Sequence, residues 1–271
     1  MLGQAQRLTE LVKKEKTKSF TEKKILAVTS GKGGTGKSFF VLNYAFQLSQ
    51  MGKRVLLIDL DYNLANIDVM LNMSSEKTLS NFFESRVLFR ELIKEVRPNL
   101  DLIFGDSGKL KQALQRTDII DYLFTNIKNI SDSYDYILVD TGAGISRENL
   151  YMLSKTDYLI MLINPDPTSV MDGYALTKVY KNEFGNREIG VIVNKCDNEA
   201  EGKLAFENIN KATAHFLKVN LNYSGYINFH NDVYKSIKEQ IVFSEEFPES
   251  EICFQIKQIA QNLTEKKKQF N

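Results

Sequence analysis

The residues best suited to chemistry lie close together near the start of the chain. Gly31-Lys32-Gly33-Gly34-Thr35-Gly36-Lys37-Ser38 follows the pattern G-x-x-x-x-G-K-S. Glycines at these spacings let successive backbone N–H groups converge on phosphate oxygens, and the lysine answers the phosphate charge. The context fits the motif. The apolar run Ile25-Leu26-Ala27-Val28-Thr29 precedes it as a buried strand, and Ser38–Met51 reads as an amphipathic helix ending at Gly52. A helix N-terminus at the end of such a loop favours an anion. Lys37 is expected to reach the β- and γ-phosphates, and the Ser38 hydroxyl to ligate Mg²⁺. Two apolar runs ending in acids complete the set: Val55-Leu56-Leu57-Ile58-Asp59-Leu60-Asp61 and Tyr136-Ile137-Leu138-Val139-Asp140. Carboxylates at the C-terminal end of a strand face the crevice where α/β sheets bind ligands. Asp140 is expected to hold Mg²⁺ through water. Thr141-Gly142-Ala143-Gly144 follows as a mobile loop suited to sensing a γ-phosphate.

Lys32 is a second lysine inside the loop. Lys-Gly-Gly-Thr-Gly-Lys-Ser is a deviant Walker A sequence, and with it the chain resembles the family of MinD, ParA and the nitrogenase iron protein. The resemblance implies ATP and ADP as nucleotides, Mg²⁺, and a homodimer closed by ATP. In it Lys32 is the signature lysine that crosses to the partner's ATP. Asp61 takes the place of the aspartate that orients the attacking water, and Asp59 lies on the Mg²⁺ side. The expected catalytic set is Lys32, Lys37 and Asp61, with Ser38, Asp59 and Asp140 on the metal. Nucleotide contacts are expected from Gly31, Lys32, Gly33, Gly34, Thr35, Gly36, Lys37, Ser38, Phe39, Asn194 and Ile227. Val193-Asn194-Lys195-Cys196-Asp197 resembles the Asn-Lys-x-Asp guanine motif of GTPases. The MinD family places an asparagine at the same strand end near adenine, and the other motifs favour ATP. The stretch Gly225-Tyr226-Ile227-Asn228-Phe229 is expected to line the base pocket, although many relatives have proline where Asn228 stands.

A longer stretch narrows the resemblance. Asn164-Pro165-Asp166-Pro167-Thr168-Ser169-Val170-Met171-Asp172-Gly173-Tyr174-Ala175-Leu176 is similar to the Pro-Glu-Pro-Thr-x-x-x-Asp-x-Tyr-Ala-Leu stretch of the FlhG group, also called FleN or YlxH. Thr168 suits a helix N-cap. Asp172 matches the family aspartate that pairs with the signature lysine. Gly3-Gln4-Ala5-Gln6-Arg7-Leu8 resembles the FlhG activator motif, with Gly3 and Thr9 departing from it. That likeness implies a helix that docks on an FlhF-like GTPase through Gln4, Ala5 and Leu8. The implied role is an ATP-hydrolysing switch for flagellar number and placement, with flagellar switch-ring proteins among its partners. Rival readings are a positioning ATPase for division or DNA segregation, a nucleotide-binding scaffold without turnover, and a GTP-specific switch.

The elements that must position these residues alternate regularly. Strands are expected at Lys24–Thr29, Arg54–Leu60, Leu100–Phe104, Tyr136–Asp140, Tyr158–Asn164, Glu188–Asn194 and Tyr223–Ile227. Further helices are expected at Ser80–Phe83, Gln112–Ile130, Thr168–Phe184, Ala200–Lys218, Asp232–Glu239 and Ser250–Lys267. Several strands are nearly continuous Ile, Leu and Val, as parallel strands covered on both faces are. The pattern is a doubly wound, mostly parallel α/β domain over residues 24–263, between an N-terminal segment 1–23 and a basic tail 264–271. At 271 residues with 43% hydrophobic and 25% charged composition, the chain can bury a core, which excludes disorder as its main state. Two cysteines, with no Cys-x-x-Cys pair, argue against a disulfide scaffold or a zinc site. Net charge is +1, but residues 1–24 carry seven basic and three acidic side chains, and the last eight residues three and one. The body is therefore acidic, and no nucleic-acid partner is expected. The stripe Ile252, Ile256, Ile259, Ala260 and Leu263 is read as a core helix, and the basic end as a weak contact for an anionic membrane surface. No signal peptide or apolar run of spanning length is present, so the expected place is the cytoplasm, with peripheral contact at the inner face of the cell membrane.

Overall fold

The computed structural model describes residues 24–62, 66–106 and 110–265. Segment 1–23, with the expected GTPase contacts Gln4, Ala5 and Leu8, lies outside the described residues, as do the last six residues of the basic tail.

The chain opens with strand β1 (Ile25–Thr29) and helix α1 (Lys37–Gln50), then β2 (Val55–Leu60), the short α2 (Ile67–Met70) and α3 (Leu79–Phe83). Strands β3 (Lys94–Arg97) and β4 (Leu100–Ile103) follow, then α4 (Leu110–Leu114), α5 (Thr117–Ile130), β5 (Tyr136–Thr141) and α6 (Arg147–Ser154). The second half runs β6 (Tyr158–Ile163), α7 (Pro167–Phe184), β7 (Ile189–Cys196), α8 (Glu199–Ala212), β8 (Asn222–Asn228), α9 (Asn231–Glu239), α10 (Phe243–Glu246) and α11 (Glu251–Glu265). The eight strands form one sheet in the order β3-β4-β2-β5-β1-β6-β7-β8. Every pairing is parallel except β3 with β4. The seven strands read from sequence are thus present. β3 was not expected: Lys-Glu-Val-Arg has a single buried residue, Val96, and lacks the apolar run that marks an interior strand.

Alternation along each strand divides the core between the two faces of the sheet. Leu26, Val28, Val55, Leu57, Tyr136, Leu138 and Ile160 pack with α1 and with Ile252, Ile256, Ile259, Ala260 and Leu263 of α11. The apolar stripe near the C-terminus is therefore a core helix. On the other face Leu56, Ile58, Ile137 and Val139 meet α5, and Leu159, Met161, Val191 and Val193 meet α7 and α8. The helix expected over Gln112–Ile130 is two. Arg116 is extended at φ −96° and ψ 121°, ahead of α5, and pairs with Asp118. α8 also stops early, passing into a π-helical turn over Thr213–Leu217 that Lys218 closes at φ 55°. α6 was missed, although Ser146 carries a helix-start signal: its Oγ accepts from Asn149 N at 3.2 Å.

Candidate nucleotide site

The loop between β1 and α1 is shaped by close backbone approaches. Gly36 stands at φ 91° before the first turn of α1, and Gly34 at φ 76°. Phe40 N donates to Gly36 O at 2.9 Å, which is where the intrahelical bonds begin. The N–H groups of Lys37, Ser38 and Phe39 thus have no acceptor within the helix and face the loop as an anion site. The Phe39 side chain turns into the core against Phe243, with ring centroids 5.6 Å apart. The side chain is therefore unavailable to a ligand, and only the backbone of Phe39 borders the loop. Gly31 is equally constrained: a Cβ there would stand 2.3 Å from the backbone carbon of Asp172. Gly31→Ala is expected to push the loop off α7, losing about 2–3 kcal/mol of stability by overpacking. Urea unfolding checks this, and a wild-type midpoint would refute the tight fit.

The acids come from neighbouring strands. Asp59 and Asp140 are directly opposite in the β2–β5 register, and both are buried. Asp59 Oδ1 accepts from Asp61 N at 3.1 Å and Oδ2 from Ile67 N at 3.4 Å. Burial, then the charge of Asp140, pushes the Asp59 carboxyl well above the usual range. Burial likewise pushes Asp140 up to about 6, against the Lys37 ammonium and the Ser38 hydroxyl, which lower it. The Ser38 hydroxyl stands close enough to lower the Asp140 carboxyl, but neither oxygen is in a well-formed hydrogen bond among the described residues, and the Thr35 hydroxyl lacks one as well. Several buried hydroxyl and amide groups elsewhere are also without partners, but Asp140 is the one carboxylate left so among the described residues, and a buried charge is the costlier group to leave unpaired. Two carboxylate oxygens beside a lysine and a serine fit hydrated Mg²⁺, which takes one or two carboxylates together with phosphate oxygens. No group of three or more His, Cys, Asp or Glu forms a metal cage among the described residues, and such an ion needs none. Ser38, Asp59 and Asp140 are the residues that would hold it.

The structure places Lys32 differently from the expectation for Asp172. Lys32 Nζ donates to Asp166 Oδ1 at 3.0 Å and to Thr168 Oγ1 at 2.8 Å. Within the subunit its partner is thus Asp166, while Asp172 lies against Gly31, where a Cβ would clash with its backbone. Asp166 is also the N-cap of α7, in place of the expected Thr168. Its side chain accepts from Ser169 N at 2.9 Å, with Pro167 in the first turn. The Thr168 hydroxyl foremost, then the Ser169 N–H and Lys32, hold its carboxyl down at about 2. The turn after β5 makes two hydrogen bonds in this structure: Gly144 N donates to Ser30 O at 2.9 Å, and Asn149 Nδ2 to Gly144 O at 2.8 Å.

On the far side, Asn194 Nδ2 donates to Thr35 O at 2.7 Å. Ile227 is a core residue that packs in the cluster containing α1 and α11, so its side chain does not line the loop. Sequence reasoning gave no role to Lys195, whose Nζ reaches Gly34 O at 2.8 Å, or to Asp166.

Comparison with known proteins agrees with this architecture. An AAA domain family matches residues 23–185. The antiactivator FleN of Pseudomonas aeruginosa is 32% identical over 241 residues, covering 88% of this chain and 85% of FleN. The flagellum site-determining protein YlxH of Helicobacter pylori is 32% identical over 272 residues, covering 98% and 92%. Among solved structures, the MinC:MinD cell division complex of Aquifex aeolicus superposes with a TM-score of 0.74 at 25% identity, covering 89% of this chain and 96% of that one.

Proposed function

This chain belongs to the FlhG (FleN/YlxH) group of MinD/ParA-type P-loop ATPases, and from that premise we propose that it is an Mg²⁺-dependent ATPase whose ATP-bound form is a homodimer controlling flagellar number and placement. The observation that carries the enzymatic part is the Asp140 carboxylate, buried beside Lys37 and Ser38 with neither oxygen in a well-formed hydrogen bond. A structural aspartate would be satisfied; this one is kept ready for a ligand. Mg²⁺, when bound, would neutralise charge on the β- and γ-phosphates. The loop N–H groups and Lys37 bind the phosphates. Asp61, whose N–H is fixed by Asp59, orients the water.

The flagellar part is supported by FleN and YlxH, which share most of their length with this chain. We assign Gln4, Ala5 and Leu8 to an FlhF-like GTPase partner, and flagellar switch-ring proteins to the same assembly. No helix among the described residues is long and apolar enough to cross a membrane, and the basic C-terminal end is assigned to weak peripheral contact with anionic lipid.

The test is phosphate release from Mg-ATP with Mg-GTP as competitor. Wild type is expected to turn over slowly, on the order of 10⁻² s⁻¹ or less without a partner. ATP should be preferred, and Asp61→Ala should lose most of the rate while still binding nucleotide. Unchanged release by that variant would remove Asp61 from the mechanism.

A further inference from the structure

Strand β7 carries an irregularity at the point where it meets the phosphate loop. Its register with β8 runs Asn194↔Ile227 and then Cys196↔Asn228, so Lys195 is the extra residue of a bulge. Lys195 stands at φ 61°, a region that side chains disfavour. Consecutive side chains of a regular strand point to opposite faces. The bulge instead turns Lys195 toward the loop that Asn194 already reaches, as bulges beside sites do. The two side chains hold successive carbonyls: Thr35 O by Asn194 and Gly34 O by Lys195.

The described peptides are all trans, so each N–H points opposite to the C=O of its own peptide plane. Holding Gly34 O toward β7 aims the Thr35 N–H away from it, and holding Thr35 O does the same for the Gly36 N–H. Two adjacent donors turned to one side are the start of an anion nest. Gly36 is part of the fit, since a Cβ there would stand 2.4 Å from Asn194 Nδ2.

We propose that Lys195 is a positioning residue of the phosphate loop: brought round by the β7 bulge, its ammonium pins the Gly34 carbonyl and sets the Thr35 N–H for the nucleotide phosphates. This rests on the nucleotide-binding reading above and assigns the lysine of Asn-Lys-x-Asp to the phosphate end of the ligand. Its effect is therefore the same for adenine and guanine nucleotides.

Lys195→Gly tests the role cleanly, because glycine accepts the positive φ without strain. Titration with Mg-ADP and Mg-GDP is expected to show affinity for both falling by about tenfold, the value of one hydrogen bond made by a charged group. The ADP:GDP ratio should stay as in wild type, and the melting temperature of the nucleotide-free protein should be unchanged or higher. Lys195→Arg should recover part of the affinity. Wild-type affinity in Lys195→Gly, a melting temperature that falls together with affinity, or a changed ADP:GDP ratio would each overturn the proposal. A wild-type chain that binds no nucleotide refutes the nucleotide reading itself, whereas wild-type binding matched by Lys195→Gly refutes only the role of Lys195.

Discussion

Asp140→Asn is expected to make the nucleotide-free protein more stable at pH 7, by about 2–3 kcal/mol, while abolishing its response to Mg²⁺. The carboxyl is raised from the ordinary 3.8 to about 6, chiefly by burial. A shift of about two units corresponds to about 3 kcal/mol of cost for the ionised form. The sign follows from proton binding. Between about pH 4 and 6 the folded chain holds a proton on Asp140 that the unfolded chain has lost, so stability falls as pH rises through that window and is flat above it. Asparagine has no charge to bury and removes this slope. The opposing Asp59, raised partly by the charge of Asp140, gains as well. The same titration predicts that Mg²⁺-dependent nucleotide binding in wild type weakens as pH falls below about 6, because the ion competes with the proton for Asp140. Urea unfolding of both proteins at pH 7 and pH 5, with calorimetric Mg-ADP titration, measures both halves. An Asn variant less stable than wild type at pH 7 would show that Asp140 is held by partners and is no ligand in waiting.

What sequence could say about this site depended on how local each feature is. The loop Gly31–Ser38 is contiguous, and its glycines, lysines and serine report their chemistry without any fold. Asp59 and Asp140 were legible because apolar runs ending in acids place carboxylates at strand ends, although their direct opposition in one register needed the sheet order. Lys195 was hidden. A bulge depends on the pairing of two strands, and strand alternation alone sends Lys195 away from the loop that Asn194 reaches. Asp166 was overlooked for a competing cap: Asp and Thr both cap helices, and only Pro167 favours the earlier start. Ile227 was assigned to the base pocket by resemblance, yet an isoleucine in a strand between two helical layers is claimed by the core. The strand Lys94–Arg97 lies at the sheet edge, where burial leaves little apolar signature.

Lys32→Ala is expected to bind ATP yet stay monomeric, with turnover reduced on the order of 10²-fold or more, since a cation supplied in trans to a phosphoryl group is worth at least that much. In the subunit described here Lys32 is held by Asp166 and Thr168, contacts it must exchange if it is to reach a partner's nucleotide. That exchange sets an opposing cost, and a second variant isolates it. Asp166→Asn keeps an N-cap acceptor for Ser169 N, since asparagine caps as well as aspartate. It removes the charge that attracts Lys32, an ion pair in which both side chains are partly exposed, at 32% and 43%. Such a pair is worth at most about 1 kcal/mol. Two such pairs are released when a symmetric dimer forms, so Asp166→Asn should dimerise with ATP up to about thirtyfold more readily than wild type, and Lys32→Ala not at all. Light scattering across a concentration series, with ATP and with ADP, resolves the three proteins. The double variant should behave as Lys32→Ala alone, because asparagine keeps the cap and the charge of Asp166 acts on dimerisation through the lysine. A dimer of normal affinity in Lys32→Ala would leave the second lysine of the loop without a role across the interface, and its contact with Asp166 would then be a fixed brace between the phosphate loop and α7.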